Sequence, residues 1–343
     1  MISIGNLQIN KLCLGDVEVT KAYLGDVQVY GSTPQPEGKY MTITVLDGNK
    51  GETTIKPTVT GSLPNLNLQY RINNGEWTDF IVGTTADIHL TVGNFVQWKG
   101  NNPVGVSTSD KNYLNFVVSG NPVALSGNIM SLIDGVGDAL EIPCNYCFYK
   151  LFESSQVKTV SSDFLHAITL KTYCYYSMFY ECTSLTTAPA LPATTIAESC
   201  YRYMFSGCTS LVSATALPAT TLAVGCYQGM FQRCSNLIQA PALPATILKD
   251  SCYKYMFSEC TSLVTAPDLL ATKLVDFCYN FMFSECRKLN YVKSLAVEGL
   301  NSFNALRGWL STVSNTGTFV KPAGVSYETG ASGIPSGWTI QNI

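Results

Sequence analysis

Residues 200–225 read CYRYMFSGCTSLVSATALPATTLAVG, and residues 226–251 read CYQGMFQRCSNLIQAPALPATILKDS. The two stretches have equal length and share most of their apolar positions, so this part of the chain repeats every 26 residues. A sequence that repeats at fixed spacing indicates stacked units, because one copy cannot bury its own apolar face. We therefore expect a solenoid with 26-residue coils. Its regular units begin at these first cysteines: Cys174, Cys200, Cys226, Cys252 and Cys278.

Each unit combines two kinds of pattern. In residues 200–225, Cys200, Met204 and Cys208 lie four apart, which predicts one or two helical turns with these side chains on one side. An extended stretch follows from Leu211, and Pro218 ends regular pairing because proline has no amide proton to donate. Strand, proline-containing turn and short helix in 26 residues fit the length range of leucine-rich repeats. The pattern predicts an α/β solenoid.

The repeated cysteines allow three interpretations. Thirteen cysteines are present, and each regular unit carries a second one eight residues after the first, as in Cys200 and Cys208. Zinc sites usually place cysteine pairs two to four residues apart, so this spacing disfavours metal. A ladder of disulfides between stacked units is geometrically possible. Buried thiols are the prediction we favour, because free cysteine is among the most buried residue types.

A row of tyrosines directly follows the first cysteines. It leaves two alternatives open: an exposed aromatic strip that stacks on sugar rings, or a half-buried row that seals the core. The row consists of Tyr175, Tyr201, Tyr227, Tyr253 and Tyr279. Positions that vary between units are better binding candidates, because packing does not dictate them. The possible ligand-facing row is Arg202, Gln228, Lys254 and Asn280.

Residues 1–30 carry a second repeat, with a period of ten residues. Gly5-Asn6, Gly15-Asp16 and Gly25-Asp26 each interrupt alternating apolar runs, a pattern typical of β-hairpins. Such a strip cannot cover its own apolar face, so it is either an edge extension of the next domain or a docking arm. The Pro/Gly-rich linker at 31–38 favours the arm. Its predicted docking residues are Leu12, Leu14, Val17, Val19, Leu24, Val27 and Val29.

The rest of the chain divides into four predicted segments. Alternating apolar residues and Gly/Asn turns at 39–120 predict a small β-sandwich. Residues 121–146 are predicted to cap the solenoid, residues 147–290 to form it, and residues 291–343 to close it. In the closing segment, Phe303, Leu306 and Leu310 have helical spacing, while residues 319–320 and 338–340 predict short strands. We expect a multidomain, mainly β protein.

Composition excludes several functions. A net charge of −3 with scattered Lys and Arg gives no basic surface for nucleic acid. The sequence contains no secretory signal pattern and no stretch of about 18 apolar residues, so we expect no export by that route and no membrane span. Two histidines and no phosphate-binding glycine loop leave few ways to build a catalytic site. We predict a protein that is not an enzyme, with no metal or cofactor.

The strings at 204–211 (MFSGCTSL) and 217–223 (LPATTLA) resemble BspA-like leucine-rich repeats. These repeats occur in surface proteins of Bacteroidetes and in their phages, and the resemblance covers residues 121–343. The order of hairpin arm, small β domain and solenoid is similar to virion proteins of crAss-like phages. The resemblance implies a leucine-rich-repeat fold and a place in the virion, after synthesis in the host cytoplasm.

The resemblance leads to a functional expectation. We expect a fibre, collar or head-decoration component that is joined to other virion proteins by the arm and displays the solenoid. The displayed surface would bind a host glycan or protein, or another virion subunit. Alternatives are a bacterial surface adhesin of the same repeat family, a purely architectural subunit and a glycan-active enzyme. Phage appendages are usually symmetric, so we expect a homo-oligomer.

Overall fold

The computed structural model describes residues 38–343 and, within the first 37 residues, the strands at 3–4, 7–8, 13–14, 17–18, 22–24 and 27–30. The protein is mainly β, with several separate sheets and almost no helix. Among the described residues the single α-helix is α1 (Ser131–Asp134), which is far too short to cross a membrane. The mainly β, multidomain prediction agrees with this architecture.

Three antiparallel strand pairs lie in the N-terminal arm. Each pair flanks one of the glycine-containing dipeptides that repeat every ten residues, as the hairpin pattern predicts. The strands are β1 (Ser3–Ile4), β2 (Leu7–Gln8), β3 (Cys13–Leu14), β4 (Val17–Glu18), β5 (Ala22–Leu24) and β6 (Val27–Tyr30). Their side chains lie outside the described part of the chain.

Two sheets face each other in the following domain. A three-stranded sheet has the order β11-β8-β13, and a larger sheet has the order β10-β9-β12-β7-β14-β15. Trp98 of β12 meets Phe116 of β13 edge to face, with ring centroids 5.0 Å apart, so the aromatic core joins the two sheets. The strands are β7 (Met41–Val45), β8 (Thr53–Thr60), β9 (Gln69–Ile72), β10 (Thr78–Asp79), β11 (Ile88–Leu90), β12 (Phe95–Lys99), β13 (Tyr113–Ser119), β14 (Val123–Ser126) and β15 (Val157–Val160).

The larger sheet continues across the boundary predicted at residue 120. β14 pairs antiparallel with β7 of the sandwich on one side and parallel with β15 of the first repeat unit on the other. The segment that we expected to be a separate cap therefore supplies a strand that joins the two regions. The physical reason is that an open sheet edge is covered best by another strand.

The repeat units are named 1 to 6 after their first cysteines, Cys147, Cys174, Cys200, Cys226, Cys252 and Cys278. The prediction of a short helix in each unit is wrong. Residues 199–208 instead form overlapping turns, in which alternate N–H groups donate to the carbonyl three residues back, as Met204 does to Tyr201 (3.2 Å). The intervening N–H groups donate to the next unit, as Tyr203 does to Gln228 (2.9 Å).

A left-handed residue at every fourth position produces these turns. In unit 3 the positive φ values belong to Ser199 (50°), Tyr203 (55°) and Gly207 (78°). The four-residue spacing of inward side chains is similar to that of a helix. The left-handed residues, however, turn every second N–H group toward the neighbouring unit. Each such non-glycine residue costs about 1–2 kcal/mol. The hydrogen bonds to the neighbouring unit offset that cost, because they give partners to backbone carbonyls of that unit that would otherwise have none.

Ladders of identical side chains fill the interior. The rings of Phe179, Phe205, Phe231, Phe257 and Phe283 are parallel within 12°, with centroids 5.6–5.8 Å apart. The tyrosine row forms a second stack at 5.8–6.2 Å. These rings and the cysteine and methionine side chains beside them are buried. Hydrogen bonds and packing therefore repeat together from one unit to the next.

The C-terminal segment ends in a parallel sheet of β16 (Tyr291–Lys293), β17 (Gly317–Lys321) and β18 (Trp338–Asn342). The strands predicted at 319–320 and 338–340 are confirmed. The helical prediction for Phe303, Leu306 and Leu310 is wrong, because this segment continues the turn pattern and hydrogen-bonds to unit 6. Trp309 continues the tyrosine stack, with its ring 6.2 Å from that of Tyr279 and 6.4 Å from that of Tyr327.

Candidate binding surface

The outer side of the overlapping turns carries side chains that the interior ladders leave out. They occupy three positions of each unit: one residue before the first cysteine, two after it and three after it. We call this surface the turn face. Its aromatic members are Tyr146, Tyr149, Tyr173, Tyr176, Tyr203, Tyr255, Phe277 and Phe281, with Phe303 of the C-terminal segment beside them. Glycines at 225 and 229 interrupt the aromatic positions in unit 4.

An open groove of about 430 Å³ lies on the N-terminal half of the turn face. It spans units 1 to 4, so a ligand in it would contact several stacked units at once. The lining combines aromatic rings with hydroxyl, amide and charged groups. The lining residues are Tyr149, Lys150, Glu153, Tyr176, Ser177, Tyr180, Tyr203, Ser206, Gln232 and Arg233.

Three tyrosine rings in the groove support one another. Tyr149 stacks on Tyr176 with centroids 5.1 Å apart, and Tyr176 meets Tyr203 edge to face at 5.9 Å. The guanidinium of Arg202 lies 5.7 Å from the Tyr176 ring and 5.2 Å from the Tyr203 ring. These contacts fix the orientation of the rings before any ligand arrives.

Gly229 provides the space in which the Tyr203 ring lies. A Cβ atom at this position would overlap the ring, and the φ angle of 61° also favours glycine. The Tyr203 hydroxyl accepts a hydrogen bond from Gln228 Nε2 at 3.3 Å. The glycine that interrupts the aromatic row in unit 4 therefore serves to position the tyrosine of unit 3.

The charged groups of the groove are paired. Lys150 Nζ lies 2.9 Å from Glu153 Oε1, and Arg233 Nε donates to Glu259 Oε1 at 3.3 Å. Burial lowers the pKa of Lys150, but the hydrogen bond and charge of Glu153 outweigh that effect and the pKa is raised. The hydrogen bond to Glu259 raises the pKa of Arg233. Both cations stay charged at neutral pH and have a carboxylate beside them.

The predicted ligand-facing row divides in the structure. Arg202 and Lys254 are half-buried, and Lys254 lies over the rings of Tyr255 (5.4 Å) and Phe277 (4.9 Å). Gln228 and Asn280 are buried, so they cannot present their side chains to a ligand, and this part of the prediction is corrected. Asn280 Nδ2 donates to the Asn304 carbonyl at 3.1 Å because the following segment covers it.

Both alternatives for the tyrosine row after the first cysteines are also corrected. The ladder rings are 1–2% exposed, so the row is neither an exposed strip nor half-buried. The aromatic residues that do reach the surface stand at the three positions of the turn face, although Tyr149 among them is only 9% exposed. A clue was available in the sequence, since Tyr149, Tyr176 and Tyr203 recur 27 residues apart. The predicted ligand-facing row did not include them.

The described cysteines are free thiols, and all except Cys144 are buried. In units 2 to 6 the second cysteine donates through Sγ to a phenylalanine carbonyl of the preceding unit, as Cys208 does to Phe179 (3.2 Å). Burial raises the pKa of the Cys174, Cys226 and Cys278 thiols to about 12. Within the described residues, no cluster of three or more His, Cys, Asp or Glu side chains could hold a metal ion.

The predicted docking residues of the arm are described only in part. Leu14, Val17, Leu24, Val27 and Val29 lie on strands, but nothing of their side chains is described. Leu12 and Val19 lie outside the described residues. No family model, curated protein or solved structure matches the chain. The groove on the turn face is therefore the site from which function can be argued.

Proposed function

We propose that this protein is a structural and attachment component of a phage particle. Its N-terminal arm would join it to other virion proteins, and its repeat region would display the turn face to a host-surface ligand. The repeat region would be a leucine-rich-repeat solenoid with 26-residue coils. The observation that carries the proposal is the groove across units 1 to 4, which combines fixed aromatic rings with paired charges on a rigid stack.

The hydrogen bonds between units support the solenoid. Each turn segment donates to the next at intervals of two residues, and the interior rings stack with nearly constant spacing. A stack held in this way is stiff, because each unit fixes the backbone of its neighbour. A stiff support suits display, since little conformational entropy is lost when a ligand binds.

The arm supports the anchoring role. Its short strand pairs have no other described strand beside them, and isolated two-stranded hairpins are at best marginally stable in water. Contact with a second surface would stabilise them. Apolar residues on alternate positions of β3 to β6 would provide that contact, and the linker at 31–38 would let the arm reach it.

Incorporation into particles tests this proposal. Particles purified from the source culture should contain the full chain, detected by mass spectrometry and by antibody labelling in electron micrographs. Deletion of residues 1–30 should abolish incorporation while the remaining chain still folds. A matched control replaces only Gln8, Glu18 and Gln28 by Ser, which leaves the apolar positions intact and should leave incorporation unchanged.

Four other outcomes would contradict the proposal or narrow it. Absence of the protein from purified particles would overturn it, and recovery on bacterial envelopes without particles would favour the adhesin. Normal incorporation without the arm would remove the anchoring role. Incorporation with no binding to host cells would leave the purely architectural subunit.

A further inference from the structure

We propose that the groove on the turn face binds an uncharged oligosaccharide, with several sugar units lying across repeat units 1 to 4. This inference rests on the proposed attachment function and names its ligand class. Sugars have apolar C–H faces and hydroxyl groups at their edges. A sugar-binding site therefore needs aromatic rings that pack against the C–H faces, and both donors and acceptors that hydrogen-bond to the hydroxyl groups. The groove contains both.

The aromatic part of the groove suits stacked sugar rings. Tyr176 and Tyr203 come from successive units and are partly exposed. Tyr149 of the preceding unit is only 9% exposed and holds the Tyr176 ring in place by stacking on it. Neighbouring units are 5.8–5.9 Å apart along the tyrosine ladder. A pyranose unit is about as long as one such step, so a linear chain would present successive sugar faces to successive units. Preorganised rings bind without the entropy cost of being ordered.

The polar part of the groove suits hydroxyl groups. Glu153 accepts hydrogen bonds, Lys150 donates them, and Gln232 does both. A saccharide hydroxyl can also do both, so it can bridge the ammonium of Lys150 and the carboxylate of Glu153 without leaving either group unsatisfied. This donor and acceptor mixture distinguishes the groove from an apolar pocket for a lipid or a peptide side chain.

The charge distribution favours an uncharged chain. Each groove cation lies within 3.3 Å of a carboxylate, so an acidic sugar would gain one attraction and meet one repulsion. Single-stranded nucleic acid also stacks on aromatic rings, but it needs unpaired positive charge along its backbone. The two cations that line the groove, Lys150 and Arg233, are paired with carboxylates, and Arg202 beside the rings adds one positive charge rather than a row along a backbone. The aromatic stack and the paired cations therefore point to the same ligand class.

The test uses the full chain and an immobilised panel of neutral gluco-, manno- and galacto-oligosaccharides. The same chains ending in a uronic acid complete the panel. The wild-type protein should bind at least one neutral series more tightly than its acidic counterpart. Tyr203→Ala should weaken that binding about tenfold, the loss typical of an aromatic residue that carries much of a binding energy. Tyr203→Phe should retain most of the affinity, because the ring persists.

Tyr255→Ala is the matched control. It removes the tyrosine at the same position of unit 5, outside the groove, and should leave binding unchanged. Glu153→Gln tests the charge argument, since it leaves Lys150 without its carboxylate and should raise affinity for the uronic-acid chains at least threefold. Circular dichroism of each variant verifies that it is folded.

Distinct results would overturn the inference. Equal or stronger binding of acidic chains by the wild-type protein would do so, as would equal losses in Tyr203→Ala and Tyr255→Ala, or no binding to any member of the panel. Particle incorporation is measured separately. A protein found in particles that binds no sugar refutes the ligand class alone, whereas sugar binding by a protein absent from particles refutes the virion role alone.

Discussion

Replacing Tyr175 by Phe should stabilise the protein. Tyr175 is 1% exposed, and its ring stacks between those of Phe148 (5.8 Å) and Tyr201 (5.9 Å). Its hydroxyl is buried and has no hydrogen-bond partner among the described residues. Burial accordingly raises the pKa of Tyr175 well above its usual range. The chain itself has phenylalanine at the equivalent position of unit 1, so the stack accepts that ring.

The magnitude follows from two opposing effects. A buried hydroxyl without a partner costs about 1–3 kcal/mol relative to its hydrated state in the unfolded chain. Removing the oxygen leaves a small gap, and each lost atomic contact costs only about 0.1–0.2 kcal/mol. The stacked ring is unchanged by the substitution. We expect the free energy of unfolding to rise by about 1 kcal/mol, which corresponds to a melting temperature about 2 °C higher for a folded region of this size.

Urea unfolding followed by circular dichroism measures this change, with thermal melting as a second method. Tyr227→Phe is the matched control. It removes the same atom from a ring that stacks on those of Tyr201 (5.8 Å) and Tyr253 (6.0 Å). Among the five described hydroxyls of the tyrosine row, only that of Tyr175 is both fully buried and without a hydrogen-bond partner. The control should change stability by less than about 0.5 kcal/mol.

One result would refute the reasoning. If Tyr175→Phe lowers the free energy of unfolding while Tyr227→Phe leaves it unchanged, the Tyr175 hydroxyl makes a stabilising hydrogen bond in solution, for example to an ordered water. The slope of unfolding against urea should be the same in all three proteins. A changed slope would mean that the substitution alters how many units unfold together.

Three more predictions concern the repeat units. Gly229→Ala should cost about 2 kcal/mol or more of folding stability, because the new methyl group overlaps the Tyr203 ring at a φ of 61°. Gly225→Ala, at a similar φ but without that overlap, should cost less, and equal losses in urea unfolding would contradict the steric argument. Between neutral pH and about pH 8.5 the thiols should leave stability unchanged, because they are protonated in both states. Stability should then fall as the pH approaches 12, because unfolded thiols ionise near pH 8.5 whereas folding raises the pKa of Cys174, Cys226 and Cys278 to about 12. Each of these thiols adds about 1.4 kcal/mol of loss per pH unit in that window, and a urea midpoint that is flat from pH 8 to 10 would disprove the burial of the ladder. In the Cys13→Ser variant, an aromatic disulfide reagent should label only Cys144 rapidly in the folded protein. After unfolding it should label all twelve remaining thiols. Rapid labelling of several thiols in the folded protein would mean that the repeat units separate readily.

Much of the architecture could be predicted from residue spacing. The alternation at Met41, Ile43 and Val45 located strand β7. The Gly-Asn and Gly-Asp dipeptides located the strand pairs of the arm. These features succeeded because each depends on a local requirement, such as a turn that needs glycine or a pleat that alternates its side chains.

The candidate site was predicted less well. Arg202 and Lys254 do lie on the turn face, but Gln228 and Asn280 are buried and the surface tyrosines were missed. The reason is that a spacing of four residues describes a helix and a run of four-residue turns equally well. In a helix and in a run of such turns, the side chains between the inward-facing positions point in different directions.

The sequence alone determined where residues repeat and predicted that the repeated cysteines are buried, because free cysteine is among the most buried residue types. Only the tertiary structure decided that the turns are not helical and that Tyr149, Tyr176 and Tyr203 meet in one groove. That outcome depends on hydrogen bonds between units, such as Tyr203 N–H to the Gln228 carbonyl. Those bonds join residues 25 positions apart, and they offset the conformational cost of the left-handed residues in each turn segment.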